Sequence, residues 1–203
     1  MELNKFVEDL AGSSPTPGGG SASALAGTLG AALVNMVAAL TTGKKKYAEH
    51  NELMQEVMAE ATRLKTDLNS KIAEDSKAFD GVTAVFAMPK DTDEQKEARK
   101  AAMQNALKAA SLVPYEVMEL GLSALKLAES ILGKSNTNAA SDLGVSALML
   151  STAVKGAWLN VRINISSIND TDFTDKYRTK GQAIFDEAEK IATSIYNQIE
   201  KEI

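Results

Sequence analysis

The sequence contains no cysteine and one histidine, His50. That excludes disulfides, a thiolate nucleophile and thiolate metal ligation, and leaves no structural zinc site of the Cys/His kind. Aromatic residues fill only 5% of the 203 positions while hydrophobic residues fill 44%. A core built from Ala, Leu, Val, Ile and Met suits closely packed helices better than a β-sandwich. Proline is equally scarce, at Pro15, Pro17, Pro89 and Pro114, so long stretches carry no helix breaker. Basic residues are outnumbered 27 to 22, for a net charge of −5, the wrong sign for neutralising phosphates, and no nucleic-acid partner is expected. Met1-Glu2-Leu3-Asn4-Lys5 has neither the basic start nor the apolar run of a signal peptide. The most apolar stretches, residues 22–40 and 143–168, are interrupted by Gly, Ser, Asn or charge. They read as buried helices of a cytoplasmic protein and not as membrane spans.

The periodicity predicts an all-α bundle of about six helices, several of them long, in a single domain over residues 1–203. A short first helix over 3–11 presents Leu3, Phe6, Val7 and Leu10 on one face. It stops at Gly12-Ser13-Ser14-Pro15-Thr16-Pro17-Gly18-Gly19-Gly20, the densest cluster of breakers in the chain. Ser21 then stands where an N-cap belongs, ahead of a helix rich in small residues that runs to about Thr42. A third helix from about Ala48 to Ala87 carries Leu53, Val57, Ala61, Leu64, Leu68 and Ile72 at helical spacing. Asp91 or Thr92 can cap the fourth, in which Pro114 predicts a kink. A fifth helix over about 139–168 is apolar on nearly all sides, and a sixth shows Ile184, Ala188, Ile191, Ile195 and Ile199.

Five segments have the residue types for chemistry. The three glycines ahead of Ser21 let backbone approach a ligand, and the helix start behind them favours a carboxylate, phosphate or electron-rich heterocycle. The run lacks the Gly-Lys-Ser/Thr of a P-loop and the preceding strand of a dinucleotide loop; a tight inter-helix turn is the alternative reading. Gly27 and Gly30 inside the second helix cost about 1 kcal/mol each relative to Ala, which close packing in a core or dimer seam would offset. Lys44, Lys45 and Lys46 form a local positive patch that could hold an anionic tail or simply be solvated. Asp75 shares a helix face with Ile72, Phe79 and Val82, a setting that raises a carboxyl pKa toward proton transfer; exposure through ordinary helix boundaries and fraying is the alternative reading. Asn136, Asn138 and Asp142 precede Asn160, Arg162 and Asn164. Asp142 and Asn160 are eighteen residues apart on one helix, or about 27 Å, so one subunit cannot bring both to one site. A structural network is the alternative for these polar groups. His50, beside the lysine patch, is a candidate acid or base and otherwise reads as a surface residue.

Ser14-Pro15-Thr16-Pro17-Gly18-Gly19-Gly20-Ser21-Ala22, Ala31-Ala32-Leu33-Val34-Asn35-Met36-Val37-Ala38 and Thr41-Thr42-Gly43-Lys44-Lys45-Lys46-Tyr47 resemble the opening of the formimidoyltetrahydrofolate cyclodeaminase and methenyltetrahydrofolate cyclohydrolase family. The likeness continues through Glu74 to Phe79, Met88-Pro89-Lys90, Arg99, Val113-Pro114, the loop from Asn136 to Asp142 and Asn160-Val161-Arg162-Ile163-Asn164, and so spans nearly the whole chain. It covers the cyclodeaminase half, without the transferase half, of the bifunctional formiminotransferase-cyclodeaminase. The resemblance implies a homodimer or larger assembly, a tetrahydrofolate substrate bearing a one-carbon group and a glutamate tail, and no metal or redox cofactor. It also implies a reaction at the carbon held between N5 and N10. On that footing Asp75 and Asp142 are the expected proton-transfer carboxylates. Pro17, Gly18, Gly19, Gly20, Ser21, Lys44, Lys45, Lys46, Asn136, Asn138 and Asn164 are the expected substrate contacts.

Overall fold

The computed structural model describes residues 2–203 and is an all-α bundle: α1 (Leu3–Leu10), α2 (Gly19–Thr41), α3 (Asn51–Phe86), α4 (Asp93–Ser130), α5 (Ala140–Ile165) and α6 (Thr171–Glu202). Short 3-10 turns, Lys45–His50 and Thr137–Ala139, precede α3 and α5. The third helix starts at Asn51, later than the expected Ala48, because the 3-10 turn runs on to His50, which leaves helical geometry at φ −103°, ψ 6°. Thr92 caps α4 in a full capping box with Gln95, and the Asp170 side chain accepts from the Phe173 N–H to cap α6. Ser21, by contrast, is no cap. Gly18 takes that position without a side-chain bond, and α2 begins two residues before the serine.

The small residues of α2 decide the architecture. α2 lies between α3 and α5, α4 packs on α5 and α3, and α6 covers α5 and α4. A side chain on Gly30 would meet Leu150 Cγ at 2.6 Å and the Ser146 carbonyl oxygen at 3.1 Å, and one on Gly27 would meet Ala153 Cβ at 3.2 Å. Gly19 faces Asn160 at the other end, so α2 and α5 run antiparallel with their backbones in near contact. The glycines thus serve the core of one chain. By length and composition α2 could cross a membrane, yet Ala24, Ala31, Val34, Val37 and Ala38 are wholly buried against its neighbours. Around this pair Leu64 and Leu68 of α3, Met118 and Leu125 of α4 and Ile195 of α6 are also fully buried. Each contributes roughly 1.5–3 kcal/mol of transfer free energy.

One expected apolar face stays outside the core. Of the α1 residues only Phe6 is buried, while Leu3 and Val7 are more than half exposed. On α5, Leu159 and Ile163 are 66% and 70% exposed.

Two helix glycines test the packing argument against intrinsic propensity. A side chain on Gly81 in α3 would meet nothing within 4 Å, so Gly81→Ala should raise stability by about 1 kcal/mol. Gly30→Ala should lower it by about 1–3 kcal/mol, the overpacking outweighing the same propensity gain. Urea denaturation of both variants would contradict this packing if they shifted in the same direction.

Candidate active site

The three glycines, α3 and α5 meet at one end of the bundle. Ser21 is fully buried in the first turn of α2. Its hydroxyl lies 2.9 Å from Asp75 Oδ2, 3.0 Å from the Ile72 carbonyl oxygen and 3.2 Å from Ser76 Oγ. A serine has one proton to donate, so Asp75 and Ile72 compete for it. When Asp75 is ionised the hydroxyl donates to the carboxylate; when Asp75 is protonated it can donate to Ile72 and accept from the acid. The same hydroxyl therefore accommodates both charge states of its neighbour.

Asp75 is the carboxyl that α2 lacks at its start. Burial pushes its pKa up, opposed by hydrogen bonds from the Ser21 hydroxyl and backbone N–H. A helix N-terminus favours the ionised form, and here desolvation still wins. The carboxylate sits so close that any side chain on Gly20 would collide with it, which is why that position takes glycine. Asp75 is half-buried, leaving part of the group open to a ligand.

Two asparagines of α5 complete the wall. They are four residues apart and so share a helix face. Asn160 Nδ2 donates to the Gly156 carbonyl at 2.9 Å, and Asn164 Nδ2 donates to the Ala110 carbonyl at 2.8 Å. The second bond exists because of Pro114. Proline has no N–H, so the carbonyl four residues earlier, that of Ala110, has lost its helical donor. Helix α4 continues through the proline, and Asn164 supplies the missing hydrogen. Each amide nitrogen keeps one N–H beyond these bonds, so both side chains can donate to a ligand as well as accept through their carbonyl oxygens. The resulting cleft is lined by Thr16, Gly18, Gly19, Gly20, Asp75, Phe79, Asn160, Ile163 and Asn164 and holds about 130 Å³. A carboxyl of raised pKa, two side-chain amides, helix-start N–H groups and an aromatic edge can bind a polar heterocycle and move a proton on it.

The structure divides the residues singled out from the sequence. Gly18, Gly19, Gly20, Ser21, Asp75 and Asn164 come together, with Pro17 in the same loop. Lys44, Lys45, Lys46, Asn136, Asn138 and Asp142 lie at the opposite end of α2, which at 23 residues is about 34 Å long. Within one subunit they do not reach the cleft around Asp75. Asn136 is buried there, its Nδ2 donating to the Leu40 carbonyl and its Oδ1 accepting from the Asn138 N–H; it closes the end of α2. The Tyr47 hydroxyl accepts from the Thr137 N–H at 3.1 Å, and its bonds to Thr137 draw its pKa down to about 8. His50 is partly exposed beside Glu49 in the same region. Phe79 and Asn160 line the cleft though the sequence analysis gave them no substrate contact, and the i, i+4 spacing of Asn160 and Asn164 was the signal. Ala110 gave none, because its role comes from a proline four residues away.

The family model for formiminotransferase-cyclodeaminase matches residues 2–183. The chain belongs to this family. It is similar to the methenyltetrahydrofolate cyclohydrolase of Methylorubrum extorquens, 38% identical over 201 residues that cover 99% of this chain and 97% of that one. It is also similar to the formimidoyltransferase-cyclodeaminases of Gallus gallus (34%) and Sus scrofa (31%), covering 98% of this chain but only 37% of those proteins. The fold matches the crystal structure of a formiminotetrahydrofolate cyclodeaminase from Thermotoga maritima with a TM-score of 0.83 at 27% identity, over all of this chain and 95% of that one. Family membership and the all-α architecture thus agree with the resemblance read from the glycine run.

Proposed function

We propose that the chain is a one-carbon tetrahydrofolate enzyme, with Asp75 carrying the proton while a tetrahedral carbon forms and collapses between N5 and N10. The observation that carries this reading is the half-buried carboxyl of raised pKa, hydrogen-bonded to a serine that serves both its charge states. In the cyclodeaminase direction N10 attacks the protonated formimino carbon on N5, and Asp75 takes the proton that N10 loses. The carbon–nitrogen bond to the former imine breaks, Asp75 returns that proton to the departing amino group, and ammonia leaves with the 5,10-methenyl cation behind. The proton removed is the proton delivered, so one carboxyl suffices and Asp142 is not needed at this carbon. The Asp75 carboxylate balances the positive charge on the product, the Asn160 and Asn164 amides hold the polar edge of the ring, and tetrahydrofolate is the substrate with no further cofactor required by these steps.

A second reading is hydration of the 5,10-methenyl cation to 10-formyltetrahydrofolate. The stand-alone relative matched end to end at 38% identity carries that name. Asp75 would take a proton from the attacking water and pass it to N5 as the C–N5 bond breaks; the second water proton goes to solvent. At neutral pH the released ammonia takes up one proton from solution, whereas hydration releases one. Absorbance at the methenyl band with 5-formimino- and with 5,10-methenyltetrahydrofolate, each in weak buffer with a pH indicator, separates the two. Asp75→Asn should lower kcat about 100-fold or more in whichever direction runs, and near-wild-type turnover in that variant would remove Asp75 from the mechanism.

The same proposal includes a homodimer in the cytoplasm. The exposed apolar residues of α1 and of the outer side of α5, Leu3, Val7 and Leu159 among them, suit an isologous contact with a second copy. Sedimentation should show a dimer at micromolar concentration that Leu159→Glu weakens; a wild-type monomer would contradict it.

A further inference from the structure

The cleft around Asp75 is open on one side. Ile163 lines it yet is 70% exposed, so the cleft gives directly onto the outer side of the α2–α5 pair. That side is apolar along its length. On α2 the outward stripe runs Ala22, Ala26, Leu29, Leu33, Met36 and Leu40 at helical spacing, while Leu25 turns back onto the core. On α5 it includes Val145, Leu148, Leu159 and Ile163, which are between 42% and 70% exposed. Only 44% of the most apolar part of α2 is buried within one chain. Two rods about 34 Å long and about 10 Å across present roughly 700 Å², close to the about 800 Å² per partner of a standard interface.

This face is uneven, and its unevenness favours one way of pairing. Near the glycine loop it is shallow, with Ala22 and Ala26 on α2 and Gly156 on α5. Toward the far end it rises through Leu29, Leu33, Met36 and Leu40. A two-fold axis perpendicular to the helices sets the raised half of one copy on the shallow half of the other. An axis along the helices would set ridge on ridge and hollow on hollow. Charge sorts the ends in the same sense. Lys44, Lys45 and Lys46 are exposed at the far end, where His50 pairs with Glu49 and none of the three lysines is paired among the described residues. The α1 segment, which leads into the glycine loop, carries Glu2, Glu8 and Asp9 against Lys5 alone. Exchanging the ends brings these opposite charges together.

The same axis relates Asp142 to Asn160. They share one face of α5, eighteen residues apart with Ser151 midway, or about five turns. Gly30, the midpoint of α2, packs at this level against Leu150. A two-fold through that level carries the partner subunit's Asp142 to the place beside Asn160 in the cleft wall. We propose that the cleft is completed across the dimer: Asp142 of the partner subunit closes it beside Asn160 and accepts a hydrogen bond from the polar edge of the bound heterocycle, while Asp75 of the first subunit moves the proton. This deepens the reading above and rests on its dimer and its cleft. The polar end of α5 that one chain holds away from Asp75 is returned to it by the second copy.

Subunit mixing gives the direct test. Asp142→Ala should lower kcat/KM about tenfold, the size of one hydrogen bond to a ligand, and Asp75→Asn about 100-fold. Co-expressed with different tags and isolated as a heterodimer, the two variants form one site with both carboxylates and one with neither. Such a heterodimer should show about half the wild-type kcat/KM. If each chain built its own site it would show roughly a twentieth, the mean of its parents; that result, or full activity in Asp142→Ala, overturns the proposal. If the wild type turns over no folate form, the folate reading is what fails, and cross-linking decides the geometry alone. The chain has no cysteine, so Asp142→Cys and Asn160→Cys introduce its only thiols, about 27 Å apart within one chain and beyond the reach of a short bis-maleimide. The double variant should give a covalent dimer that neither single variant gives. Cross-linked dimers from the single variants, or monomer throughout, would overturn the arrangement.

Discussion

Everything at the working end of this molecule depends on the contact between the Asp75 carboxylate and the first turn of α2. A helix start needs acceptors for its free N–H groups, and α2 has no capping side chain of its own. Asp75 supplies one from α3, reaching Ser21 and lying against the Cα of Gly20. The contact ties the glycine loop to the longest stretch of core and fixes the distance between α2 and α3. It also holds a carboxyl where water is partly excluded. Fold and the proposed chemistry thus draw on one interaction, and the raised pKa of Asp75 is the cost of burying its carboxyl.

A second constraint acts from the other side. Pro114 leaves the Ala110 carbonyl without its helical partner, and Asn164 fills the vacancy. The proline thereby fixes a side chain on a different helix at the wall of the cleft. The close approach of α2 and α5, enforced by Gly27 and Gly30, brings Asn160 and Asn164 beside the glycine loop. Four helices, α2 to α5, are locked together by one carboxylate, one carbonyl that a proline leaves without its helical donor, and a row of missing side chains.

Much of this was legible in the sequence because it is local. The 3.6-residue period, the breaker cluster from Gly12 to Gly20 and the Thr92 cap each depend on a few neighbouring residues, and all six helices appear close to their expected bounds. Asp75 was conspicuous as an acid on an apolar stripe. What the sequence hid is what depends on distance across the bundle. Ser21 reads as a cap but is a cross-link, because the residue that satisfies the helix start is 54 positions away. Lys44, Asn136 and Asp142 read as site residues, yet α2 is a straight rod and carries them to its far end. Asn136 is polar and buried for the sake of the Leu40 carbonyl. The link from Pro114 to Asn164 needed the three-dimensional pairing of α4 with α5.

The central claim is that Asp75 exchanges a proton in the working range, with Ser21 supporting both of its states. The direct measurement is a carboxyl 13C NMR titration of Asp75, identified by the signal missing in Asp75→Asn. The account predicts a midpoint above the ordinary aspartate range in the wild type. Ser21→Ala should move it higher, since that variant removes a hydrogen bond that stabilises the charged form. Because the folded state then binds the proton more tightly than the unfolded chain, this group stabilises the fold most at acid pH and its contribution falls as pH rises through that midpoint. A midpoint at or below the ordinary value would contradict the account. It would mean that the helix start and Ser21 outweigh burial, leaving a permanently ionised cap in place of a proton carrier.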